Sequence, residues 1–149
     1  MARDAVWELL SSDTDGDQSL AALGGAGFMV IEQYATDQRP DGAAFIVICW
    51  RHTNFDEDIQ ANAERNFDLY VHIPVKVSTR FGRIDAMIDR CDELFRAVED
   101  ATVPVVGEDG WQLDYVGFEG RGMDFEDEGY QTICKSASYM ALASKVIAP

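Results

Sequence analysis

The sequence predicts an α+β fold, a single domain over residues 1–149 in which an antiparallel sheet carries helices packed on one face, in the order α-β-β-β-α-β-β. Three observations lead there. Phe67, Leu69, Val71, Ile73, Val75 and Val77 alternate with Asp68, Tyr70, His72, Pro74 and Lys76, the two-residue period of a strand with one buried face. Ile84, Met87, Ile88, Cys91, Leu94, Phe95 and Val98 recur at steps of three and four, the apolar stripe of a helix over Arg83 to Val98. The other strand-like runs are joined by short connections, which favours antiparallel neighbours.

The elements follow in order. Residues 3–11 suit a short helix because Val6, Leu9 and Leu10 share a face. Phe28 to Tyr34 reads as a strand, and Gln38 to Gly42 as a turn punctuated by Pro40 and Gly42. Ala44 to His52 is almost continuously apolar, as expected of a strand covered on both faces. Asn54 to Glu64 is an acidic loop. The strand Phe67 to Val77 is long, and Pro74 cannot donate to a ladder, so an edge position or a bulge is expected there. A long strand of this kind suits one arm of a hairpin projecting from a small core. After the helix come strands at Gln112 to Glu119 and at Tyr130 to about Ala143, separated by the acidic, glycine-bounded connection Gly120 to Gly129.

Composition narrows the function classes. With 47% apolar and 11% aromatic residues the chain has the material for a real core and is not of the disordered class. Its 27 acids against 12 bases give a formal charge of −15, a surface that repels DNA phosphate and anionic lipid. Such a surface suits a wall past which DNA slides without sticking. Cys49, Cys91 and Cys134 are far apart, odd in number and set in apolar patterns, as expected of buried reduced thiols. The first residues carry acids where a signal peptide needs an apolar core, and the longest apolar run, Ala43 to Trp50, is far too short to cross a bilayer. A soluble protein with no membrane partner is the expectation.

The stretch Asp13-Thr-Asp-Gly-Asp-Gln-Ser-Leu20 looks like the start of a calcium loop. Asp13, Asp15 and Asp17 fill the first three ligand positions, but Gln18 stands where the turn needs Gly, and Gly24 where the loop needs a bidentate Glu. The three aspartates are therefore read chiefly as a solvated acidic loop, and the paired glycines after Ala21-Ala-Leu23 speak against an exiting helix. His52 and His72 have no nucleophile signature around them, and Leu23 to Phe28 lacks what a phosphate loop requires. The carboxylate clusters Asp56-Glu57-Asp58, Glu108-Asp109 and Glu126-Asp127-Glu128 fall in expected loops, where solvated charge is the default. No catalytic residue, cofactor or metal site is expected. Trp7, Trp50, Trp111 and Tyr70 are aromatics of the kind enriched at interfaces, though core packing explains most of them equally well.

The chain as a whole resembles the tail terminator proteins of phages with long, non-contractile tails. The resemblance is carried by the first helix Asp4 to Leu10, the segment Gln38-Arg-Pro40 followed by Phe45-Ile-Val-Ile48, the long strand Phe67 to Val77 running into the helix Arg83 to Val98, and Asp124-Phe-Glu-Asp-Glu-Gly129 leading into Tyr130-Gln-Thr-Ile133. It implies a structural virion protein, not an enzyme. Such a protein forms a ring, typically a hexamer, at the neck end of the tail after assembly in the host cytoplasm. The ring stops growth of the tail tube, meets the tail tube protein and a head-completion or stopper protein, and lets DNA through its lumen without specific binding. The interface expectations are Tyr70, His72 and Lys76 on the long strand. Asp56, Glu57, Asp58, Asp124, Glu126, Asp127 and Glu128 are expected on an acidic lumen or loop surface. Two alternatives stand beside this: another phage neck or head-completion component, and a small calcium-responsive binding module using Asp13, Asp15 and Asp17.

Overall fold

The computed structural model describes residues 3–33, 38–55 and 62–145, with side chains at 3–33, 38–51 and 64–145. Three helices, α1 (Arg3–Ser11), α2 (Leu20–Gly24) and α3 (Gly82–Glu99), pack against a curled seven-stranded sheet. Its strands are β1 (Met29–Glu32), β2 (Phe45–Phe55), β3 (Asn62–Pro74), β4 (Val105–Val106), β5 (Trp111–Arg121), β6 (Phe125–Asp127) and β7 (Thr132–Lys145). They lie in the order β1-β2-β3-β7-β5-β4, with β6 pairing separately to β7.

The sheet is mixed, which corrects the antiparallel expectation. β1 runs parallel to β2, with Met29 opposite Phe45 and Glu32 opposite Ile48; every other pair is antiparallel. Pro40 and Gly42 look like hairpin punctuation, but segment 33–44 is long enough to carry the chain back to the start of a parallel neighbour, which a tight turn cannot do. β3 is also not an edge strand, since it lies between β2 and β7. Pro74 is tolerated because it is the last residue of the ladder, opposite Thr132, and the next amide, of Val75, donates to the Gln131 carbonyl at 3.0 Å. The irregularity in β2–β3 falls between Trp50 and Thr53 instead.

The alternation in β3 and the stripe on α3 meet as expected. Phe67, Leu69, Val71 and Ile73 are fully buried against Ile84, Met87, Ile88, Cys91 and Phe95 of α3, together with Ala137, Tyr139 and Ala141 of β7. Phe67 stacks on Tyr139 and meets Phe95 edge-on, with centroids 5.4 and 5.7 Å apart. The Tyr139 phenol donates to Asp92 on α3 at 2.5 Å, which satisfies its buried hydroxyl. Truncating Phe67 to alanine removes the centre of this packing, and losses of about 3–5 kcal/mol are usual for such a change.

Three elements exceed the expected order. α2 forms despite its glycines: the Ser19 hydroxyl accepts from the Ala22 amide, and Gly25 at φ 84° ends the helix. The glycine pair thus sets where the helix stops. β4 and β6 are too short to show a period. No helix among the described residues is long and apolar enough to cross a membrane.

Candidate functional site: a divided cleft on the helix-free face

The helices cover one face of the sheet. The opposite face carries Phe45, Val47 and Cys49 of β2, Tyr70 and His72 of β3, and Thr132 and Cys134 of β7, because their register places them out of phase with the core residues. At one end of this face the turn before β7 folds Tyr130 over the sheet. The Asp127 carboxylate accepts from the Tyr130 amide at 3.0 Å, and Gln131 then takes φ 54°. It is the one non-glycine with positive φ among the described residues, a conformation that L side chains adopt at a cost.

Tyr130 meets the edges of both Phe45 and His72, which are stacked on each other at 4.6 Å with 7° between their planes. The Arg39 guanidinium lies 4.6 Å from the centre of the Tyr130 ring. His72 is 4% exposed, with Nδ1 2.8 Å from the Thr132 hydroxyl and Nε2 3.6 Å from the Cys134 sulfur. Burial lowers the imidazole pKa to about 4, against a smaller opposing effect of Asp127, so His72 is neutral at pH 7. Burial likewise pushes the Cys134 thiol up to about 12. Imidazole and thiol are therefore both uncharged, and the pair packs as a satisfied polar contact, not as a thiolate–imidazolium couple.

Two hollows flank Tyr130. One, of about 490 Å³, lies between Arg39, Asp41, Lys76 and Gln131, with Phe45 and Thr132 at its base. The other, of about 380 Å³, is lined by Gln33, Val47, Cys49, Tyr70, Phe125 and Asp127. Beyond it the face turns polar. Arg51 reaches Asp68 on β3 at 3.3 Å and Glu119 on β5 at 3.4 Å, while the Ser138 hydroxyl donates to Asp68 at 2.7 Å. These contacts link β2, β3, β7 and β5 across the face.

The three residues expected at an interface converge here, on different sides of Tyr130. Tyr70 is half-buried in the second hollow, where burial raises its phenol pKa, with the Asp68 charge adding to it. His72 lies beneath Tyr130 and is closed to solvent, and Lys76 stands exposed at the first hollow. Asp56, Glu57 and Asp58 lie outside the described residues, as does the side chain of His52. Within segment 124–128 the carboxylates have different surroundings. Asp124 pairs with Lys135 at 3.2 Å on the helix-covered side, Asp127 holds the Tyr130 turn, and Glu126 and Glu128 are exposed. The tryptophans divide between core and surface. Trp111 belongs to the core, Trp50 is half-buried with the Arg65 guanidinium 4.4 Å from its ring, and Trp7 is 41% exposed with its indole N–H donating to the Val30 carbonyl at 2.9 Å.

Asp13 has a structural employment. Its two oxygens accept from Arg90 Nη2 and Nε at 2.7 and 2.8 Å, and the second also accepts from the Leu20 amide at 2.9 Å. The Arg90 hydrogen bonds hold its carboxyl below the usual range. A first ligand already bound to a guanidinium suits a calcium loop poorly, and among the described residues no group of three or more His, Cys, Asp and Glu side chains is placed to hold a metal ion. Asp15 and Asp17 are exposed.

Arg39, Tyr130 and Gln131 were not expected at this site. Tyr130 reads in sequence as the first residue of a strand; Asp127 followed three residues later by Tyr130, across Gly129, is the signal that marks the turn. No protein-family model matches the chain, and no curated protein matches it.

Proposed function

We propose that this chain is a structural subunit of a phage tail, a tail terminator that assembles into a ring, most simply a hexamer. The observation that carries the reading is the helix-free face. It keeps aromatic and apolar side chains such as Tyr70, Cys49 and Phe125 beside open hollows, while the other face of the same sheet is roofed by helices. Surfaces of this kind, aromatic at the centre and polar around it, suit protein contacts. The charge of −15 supports the same reading, because an acidic wall lets DNA pass without adhesion.

In this reading the β2–β3 hairpin arm and the Tyr130 cleft serve contacts with neighbouring subunits and with the tail tube protein, and exposed Glu126 and Glu128 contribute to an acidic lumen or loop surface. The ring sits at the neck end of the virion tail, having assembled in the host cytoplasm. It halts tube growth, meets a head-completion or stopper protein, and catalyses nothing. Electron microscopy of the purified chain, alone and mixed with tail tubes, tests this. Open rings, or rings capping tube ends, are expected. A chain that stays monomeric at high concentration and leaves tubes uncapped refutes it.

A further inference from the structure

The outer edge of β5 is open along most of its length. β4 pairs with it only at Gln112 and Leu113, and beyond Leu113 no described strand lies alongside. An unpaired edge offers its backbone groups to any strand that reaches it, and such edges are ordinarily blunted with charge. Here Tyr115-Val-Gly-Phe118 carries none, in a chain that is 26% charged. The helix layer leaves the edge open as well. Between α3 and β5 a hollow of about 280 Å³ lies among Asp92, Phe95, Val116, Phe118 and Tyr139, and Phe118 is 56% exposed at its rim.

The edge is complementary to itself. Val116 belongs to the core layer and Phe118 meets the Tyr139 ring edge-on at 6.0 Å, so both face the helices. Gly117 between them faces the other way, where a Cβ would lie 3.0 Å from the Tyr115 ring. Opposite residues of an antiparallel ladder share a face, so a strand that pairs with a copy of itself does so about a residue. About Gly117, Val116 lies opposite the partner's Phe118 and Phe118 opposite the partner's Val116. Each exposed ring is then carried to the mouth of the partner's hollow, and no side chain crowds the axis. The neighbouring centres lose this match: about Val116, Phe118 meets Asp114, and about Phe118, Val116 meets Gly120.

We propose that β5 pairs with β5 of a second copy of this chain about Gly117, an antiparallel two-fold contact that joins the two sheets edge to edge. The contact goes beyond the ring reading and does not rest on it, because a two-fold contact closes on itself and leaves the helix-free face uncovered. Register shifts between Leu113 and Tyr115 and between Phe118 and Gly120 end the ladder on either side, which keeps the contact short. Apolar side chains and backbone bonds carry it. Each copy brings a charge of −15, so the pair strengthens as salt screens the repulsion.

The test is analytical ultracentrifugation of the full chain at low and moderate salt, with the fold checked by circular dichroism. The native chain should form pairs more tightly at moderate salt, and Phe118→Asp should weaken pairing about tenfold or more. Gly117→Cys places a thiol on the axis, where opposite Cα atoms come within reach of a disulfide. Under mild oxidation this single variant should give chain-to-chain disulfides that the native chain, with Cys49, Cys91 and Cys134, does not give. A Phe118→Asp chain that pairs as the native chain does, or a folded Gly117→Cys chain without those disulfides, overturns the edge contact and leaves the ring reading standing. A native chain that stays monomeric at every salt overturns it too, and one that also leaves tubes uncapped overturns both.

Discussion

On the helix-covered face Phe67 sits among Trp50, Phe95 and Tyr139, with ring centroids 4.8, 5.7 and 5.4 Å away; on the helix-free face Phe45, His72 and Tyr130 form a second aromatic group of similar spacing. The first group is closed by α3, and its single phenol is satisfied by Asp92. The second has no helix above it. Its ceiling is one tyrosine held by a strained turn and an arginine, and hollows open on both sides. The contrast teaches that aromatic content alone does not separate core from contact surface. What separates them is whether a second layer of secondary structure encloses the rings.

The largest expected effect breaks the enclosed side. Phe67→Ala should cost about 3–5 kcal/mol in urea unfolding, since the cavity lies where α3, β3 and β7 meet and cannot readily collapse; a loss below about 1 kcal/mol would show that this cluster is not the centre of the core. Next comes His72, which distinguishes the faces by pH. Its folded pKa of about 4 lies below the ordinary 6.5, so between those values the unfolded chain binds the extra proton. Its stabilising effect is full above pH 6.5 and is lost as pH falls through 4, by an amount up to about 3 kcal/mol. His72→Phe should flatten the stability profile in that window; an unchanged slope there would place the titration on other groups.

A smaller effect sharpens the comparison from the helix side. Asp13 has a lowered pKa, so its contribution is present above the ordinary value of 3.8 and disappears as pH falls below it. Asp13→Asn should cost about 2 kcal/mol at neutral pH and make the acid limb below pH 4 shallower, leaving the window of His72 untouched. The smallest effect is at the ceiling turn. Gln131→Gly relieves the positive φ and should stabilise by about 0.5 kcal/mol or less, because the added freedom of the unfolded chain offsets part of the relief. Destabilisation beyond about 1 kcal/mol would mean that the Gln131 side chain supports the cleft in its own right.

Much of the fold is legible in the sequence, and the reasons are local. The alternation through Phe67, Leu69, Val71 and Ile73 and the stripe through Ile84, Met87, Ile88, Cys91 and Phe95 are periodic, and periodicity reports which side of an element is buried. The parallel pairing of β1 and β2 has no such signature, because it depends on where segment 33–44 returns the chain. The cleft is less legible still. Arg39, His72, Tyr130 and Thr132 are brought together by a register that sets His72 opposite Cys134, and no spacing along the chain encodes it. The failure of the aspartate loop at its turn and last ligand is visible in the sequence, whereas the partner that employs Asp13, Arg90, lies 77 residues away.

The place of β7 in the sheet bears on how the protein is made. β7 follows every other described strand in sequence, yet it lies between β3 and β5 and also pairs with β6. On the ribosome, every residue before 132 can emerge and still leave two unjoined pieces, β1-β2-β3 on one side and β4-β5 on the other, with bare edges and half a core facing water. Such a nascent chain is most prone to wrong pairing just before β7 clears the exit tunnel. The two pieces can join only through β7, so synthesis slowed before that strand emerges would lengthen the hazardous interval.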